Sequence, residues 1–225
     1  MASFKLNIAN IQGCPEAEEL VNLMNEYGLP EGDEFGVLTA TASGGSAFGT
    51  LLRRTKQAVQ KLDPESNEVV SDAVEKVTLY PFGVRPETNR LEVYAGSKSA
   101  IEQVGVFFGS CLALPTVVEP LELDVQAAIH WLSENTQRFQ LKSVRVNEYA
   151  HNSYMLGPYS PKFLDTAHGQ EFMEQYGEFI ATAAARFQGP TGRVNVTLRP
   201  LAVMNFSCNE DDQHEVQSIL RKLVP

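Results

Sequence analysis

The sequence predicts an α+β protein with an antiparallel or mixed sheet and helices packed mainly on one face. Three observations carry that reading. Short β-prone runs alternate with amphipathic helical stripes along all 225 residues. The stretch 90–132 holds a strand, a mostly apolar helix, a second strand and a second helix, together with the single tryptophan, Trp131. VTLYP at 77–81 and VTLRP at 196–200 each begin a strand, turn, strand, helix order, the pattern of pseudo-duplicated β-β-α units. Two parts are expected: 1–76, an N-terminal α+β part with a Gly-rich hairpin, and 77–225, an α+β core part. A single compact domain is the alternative.

Taken in order, 4–8 alternates apolar and polar residues as a half-buried strand does. Pro15 then opens a helix, where its missing N–H costs nothing, with Ala17, Leu20, Val21, Met24 and Tyr27 on one stripe and Gly28 at its end. Two β-prone runs flank Ser43-Gly44-Gly45-Ser46 and predict a hairpin. Residues 56–77 mix a short helical pattern (Ala58, Val59, Leu62) with a polar break at 63–67, which reads as a surface excursion. Strands are expected over 77–82 and 91–94 around a turn at 86–89.

Ser97 is a candidate N-cap for the helix carrying Ala100, Ile101, Val104, Phe107, Phe108 and Cys111, and Asp124 for the helix of Val125, Ala128, Ile129 and Leu132. Residues 140–146 alternate as a strand, and 147–165, rich in Pro, Gly, Asn and Tyr, reads as a long ordered loop. Thr166 is placed to cap a helix whose stripe runs Phe172, Met173, Tyr176, Phe179, Ile180, Ala183 and Phe187 up to Gly189-Pro190. Two strands, 194–198 and 202–206, precede a last helix from about Asn209 that buries Val216, Ile219, Leu220 and Leu223.

Composition narrows the function classes. Apolar residues at 43% and charged residues at 20% describe a folded globule. A net charge of −10 disfavours indiscriminate binding to phosphate backbones, although a whole-chain sum leaves room for a local basic face. Cys14, Cys111 and Cys208 are too widely spaced for a metal-ligand pair and odd in number for a disulfide framework, so a reducing, cytoplasmic setting is expected. MASFKLNIAN carries no basic region followed by an apolar run, so no secretory signal is expected. No apolar run reaches the roughly 18–20 residues that span a bilayer.

Catalytic and cofactor spacings are missing. Gly44-x4-Gly49 is followed by Thr50-Leu51 rather than by the lysine of a phosphate-binding loop. His130, His151, His168 and His214 form no zinc-helix spacing. The acidic run 209–215 lacks the alternating ligands and central glycine of a calcium loop and suits the first turn of a helix. No nucleophile elbow is present, so no cofactor, metal or catalytic residue is assigned. What remains is one enzyme-like alternative, a site around 147–168 drawing on His151, His168 and Asp165. Two binding candidates stand beside it. Arg53, Arg54, Lys56 and Lys61 concentrate cations for nucleic-acid phosphates, with Glu65, Glu68 and Glu75 as the balancing charges of an ordinary solvated face. Tyr149, Tyr154, Tyr159 and Phe163 supply aromatic anchors for a protein partner.

One family resemblance joins these readings. Leu91-Glu92-Val93-Tyr94-Ala95, the following Ser97-Lys98-Ser99-Ala100-Ile101-Glu102, then Leu114-Pro115-Thr116-Val117-Val118-Glu119-Pro120-Leu121 and the strand pair over 194–206 follow an order similar to the C-terminal part of the recombination-associated RdgC family. The resemblance covers about residues 77–225. It implies a ring-shaped dimer that binds duplex DNA without sequence preference, and no residue role is carried over from it. The leading expectation is a non-enzymatic cytoplasmic binding or assembly module with a protein partner or self-association, away from membranes. The alternatives are sequence-nonspecific DNA binding of recombination or nucleoid type, and the enzyme site around 147–168.

Overall fold

The computed structural model describes residues 2–62, 69–95, 99–148, 152–155, 163–201 and 203–224. The chain is α+β, its described strand pairs antiparallel, and it divides into two compact units. One is Asn10–Val118; the other joins Met1–Ala9 to Glu119–Pro225. The expected excursion at 63–67 and the Ser97 cap lie outside the described residues.

The first strand, β1 (Ala2–Gln12), gives its last residues to the Asn10–Val118 unit. Helix α1 (Ala17–Tyr27) follows, with Pro15 just outside the N-cap residue Glu16 and Gly28 closing the other end at φ 59°. Strands β2 (Phe35–Ser43) and β3 (Ser46–Leu62) form the expected hairpin, and positive φ at Gly44 and Gly45 is what a two-residue turn of this hand requires. Strand β4 (Val69–Arg85) pairs with β3 along its whole length, so the helical spacing of Ala58, Val59 and Leu62 is overturned. Cross-strand pairing decides there, because three apolar residues cannot anchor a helix that has no face to bury.

Pro86–Thr88 turns the chain into β5 (Arg90–Val93), which leads to α2 (Ala100–Val106) and a wider π-helical turn at Phe107–Cys111. Strand order in this unit is β2, β3, β4, β5 and the end of β1. One sheet face carries Leu51, Tyr80, Phe82 and Val84, all buried. Phe107 and Phe108 fill the core there: Phe107 meets the Tyr27 ring edge-on at 5.3 Å, and Phe108 meets Phe82 at 5.5 Å.

Strand β6 (Val117–Pro120), at whose middle the unit boundary falls, pairs with β1; in the second unit α3 (Val125–Asn135) begins at Asp124, whose side chain accepts from the Ala127 N–H as expected of an N-cap. Strand β7 (Gln140–Glu148) forms a hairpin with β8 (Asn152–Met155), so the stretch read as a long loop contains a strand. Thr166 caps α4 (Ala167–Tyr176) through Gly169. That helix is shorter than its apolar stripe predicts: Ile180–Gln188 is strand β9, held between β7 and β10 (Arg193–Arg199).

The reason is local and tertiary at once. A Cβ at Gly177 would lie 2.3 Å from the Gln126 side chain, so glycine marks the close approach at the helix end. Beyond it Ala183, Ala185 and Phe187 are buried at a period of two. Helix-prone alanines yield to a site between two strands. Strand β11 (Val203–Cys208) and helix α5 (Gln213–Arg221) complete the unit, with strand order β1, β11, β10, β9, β7, β8. The strand, strand, helix order thus follows both VTLYP and VTLRP: β4, β5, α2 and β10, β11, α5.

Candidate functional site

The β3–β4 ribbon outruns its neighbours. Strand β2 accompanies β3 as far as Arg53, and β5 accompanies β4 only from Phe82. From Arg54–Val77 to Leu62–Val69, nine residue pairs have no third strand beside them among the described residues, although the Arg54 N–H is taken by the Glu34 carbonyl. At about 3.3 Å per residue this is an arm about 30 Å long. A two-stranded ribbon of that kind is marginal on its own in water.

Its surface is unusual for an exposed element. Val69, Val74, Val77 and Leu79 of β4 are 65, 40, 49 and 49% exposed. Single exposed aliphatics are ordinary, but four on one strand with an unpaired edge are the features natural sheets avoid unless something covers them.

The four cations proposed from sequence all lie on β3 and alternate between its faces. Arg53 and Lys61 share the face of Leu51, while Arg54 and Lys56 point the other way. Arg53 is bonded to Glu34 and stacks over Phe35 at 5.8 Å from the ring centroid; the bond to Glu34 raises its pKa further above its ordinary range. Arg54 donates to the Asp33 carbonyl at 2.9 Å and lies 3.8 Å from Glu75. Lys61 reaches Asp72 at 2.7 Å and holds that carboxyl below its usual range. Lys56 stands opposite Glu75 in the register. Arg53 and Arg54 therefore tie the segment before β2 to the root of the arm, and the arm offers no convergent row of cations.

The aromatic set is divided. Tyr149 and Tyr159 lie outside the described residues, and so does the side chain of Tyr154, whose backbone pairs with Val146 in β8. Phe163 is a correction: at 5% exposure it is core, packed against Phe172 and the His168 ring rather than offered to a partner. His151 lies outside the described residues, and Asp165 and His168 are both exposed. Among the described residues no three His, Cys, Asp or Glu side chains gather as metal donors.

A further basic grouping was visible in the sequence only through Arg193, a minor basic spot beside Arg199. Arg138, Arg186 and Arg193 line a pocket of about 190 Å³ with Gln140, Phe187 and Gln188. The register brings them together: Arg186 stands between Gln140 and Asn195, and Arg193 stands opposite Gln188. The Arg186 Nε donates to Asn195 at 3.0 Å, and none of the three is in an ion pair among the described residues. Arg186 and Arg193 are seven residues apart, and Arg138, remote in sequence, joins them through strand pairing. No helix among the described residues is long and apolar enough to cross a membrane. No family model matches the chain, and no curated protein matches it at a significant level.

Proposed function

We propose that the chain is a non-enzymatic binding or assembly module of the cytoplasm whose partner-binding element is the β3–β4 arm. The observation that carries this reading is the pre-formed β4 strand, whose outer edge is open among the described residues and which bears four exposed aliphatic side chains. Such a strand binds by addition: main-chain hydrogen bonds supply affinity, and alternate side chains supply specificity. Because the strand is already ordered, less conformational entropy is lost on binding. Covering the remaining exposed half of each aliphatic side chain is worth roughly 1 kcal/mol. Three free thiols, one of them buried, fit a reducing compartment.

The test uses the direction of the β4 backbone. Val77 turns its N–H away from β3, so Val77→Pro removes an edge donor while sparing the arm's own ladder. Complexes of the full chain, recovered by affinity purification and sized by light scattering, should be lost in this variant with the unfolding midpoint unchanged. Complexes that persist overturn the reading.

A second reading, contact with nucleic-acid phosphates, is favoured by the arginine trio rather than by the arm. Three cations without carboxylate partners among the described residues, around one pocket, are suited to neutralising phosphates. If they do, reversing Arg138, Arg186 and Arg193 to Glu removes weak duplex binding and lowers its salt slope by about 3. Unchanged binding removes this reading.

A further inference from the structure

We propose that the strand added to β4 is β4 of a second copy of this chain, antiparallel, with a two-fold axis at Val74. The proposal rests on the arm being the partner-binding element. Two constraints select that register.

The first is backbone direction. The Pro81 carbonyl accepts from the Tyr94 N–H, on the side of β4 away from β3, and the Ala73 N–H is taken by its neighbour's Asp72 Oδ1. The β3–β4 register runs without a shift, so every odd-numbered residue of the arm strand turns its N–H and C=O to the open edge. Two such edges join odd to odd. The numbers of facing residues must then sum to an even value, which places the axis on a residue rather than between two.

The second constraint is charge. Within 72–76 an axis at Asp72, Glu75 or Lys76 sets that charge directly against its own copy. An axis at Ala73 leaves Asp72 facing Val74 and Glu75 facing Ser71. An axis at Val74 alone puts Asp72 opposite Lys76, twice, with Val74 against Val74, Ser71 against Val77 and Val69 against Leu79. In this register the even-numbered pairs are the closely spaced kind, about 4.5 Å between Cα atoms, so the charges and Val74 meet at the shortest cross-strand distance. Leu52 already stands opposite Leu79, so Val69 of the second copy extends an apolar row across three strands.

The other edge cannot do the same. Strand β3 beyond Phe35's partner carries Arg54, Lys56 and Lys61 and no acidic residue. Pairing β3 to β4 of a second copy would be head-to-tail and leave edges for further copies, whereas β4 on β4 closes as a dimer.

Sedimentation equilibrium of the full chain from low micromolar to near-millimolar concentration should show monomer and dimer without larger species. Asp72→Lys alone, and Lys76→Asp alone, each set like charges together at both contacts and should weaken association roughly tenfold. An equimolar mixture of the two variants should restore the dimer, because the substituted positions then face each other with opposite charge. Val74→Cys should cross-link under mild oxidation. Ser71→Cys, about 20 Å from its own copy in this register, should not. A chain that stays monomeric across the range overturns the second copy as the partner and leaves the arm reading to the Val77→Pro test. A dimer that neither charge variant weakens, or that the mixture fails to restore, overturns the register.

Discussion

At the scale of single residues, what was legible in the sequence was what neighbours in sequence decide. Asp124 and Thr166 cap their helices because an N-cap bond spans three residues. Phe163 was misread because its surroundings, Phe172 and His168, become neighbours only when α4 folds back over it. Its truncation tests the correction: Phe163→Ala should cost about 3–5 kcal/mol in denaturant unfolding, as a buried aromatic does, and a loss under 1 kcal/mol would return it to the surface. Cys14 offers a pH test. Burial pushes its thiol from 9.0 up to about 11. The folded chain therefore keeps a proton that the unfolded chain has lost, so this stabilisation is intact below pH 9 and is lost as pH rises toward 11. Unfolding midpoints across that window should fall, and Cys14→Ala should make the fall shallower.

At the scale of elements, the strands and helices that alternate cleanly were legible, and the ones that failed share a cause. Alanine-rich 180–188 and the mixed 56–77 carry weak or helical local preference, and both are strands because a neighbouring strand fixes them. Strand pairing is a long-range fact. The polar break at 63–67 hid the arm by separating two runs that pair with each other. Gly177 is the residue that could have revealed β9, since it ends α4 just before the alternation begins. Gly177→Ala should change unfolding stability by less than about 1 kcal/mol, because the added methyl meets only the movable amide end of Gln126 and the backbone there is already helical. The arm's ladder predicts a contrast between two prolines. Val74→Pro removes a bond to β3 and should abolish amide protection along the arm, while Val77→Pro should leave it in place. Equal loss in both variants would contradict the backbone direction on which the register rests.

At the scale of the whole molecule, the α+β class was legible from alternation alone, and so was the strand, strand, helix order after VTLYP and VTLRP. Candidate sites were not, because sequence proximity gathered Arg53, Arg54, Lys56 and Lys61 while the strand set them on opposite faces. The reverse holds for Arg138, distant in the chain from the nearby pair Arg186 and Arg193 and brought to them by β-pairing. The central claim is that the open edge of β4 is where this protein meets its partner. Hydrogen exchange at the amides of β4 tests it most directly, read at low and at high protein concentration. In the dilute chain the amides of Asp72, Val74 and Lys76, bonded to β3, should be protected, and those of Ser71, Glu75 and Val77 should exchange freely. At high concentration the second set should become protected as well. Free exchange at Ser71, Glu75 and Val77 under conditions where the chain is associated would contradict the claim.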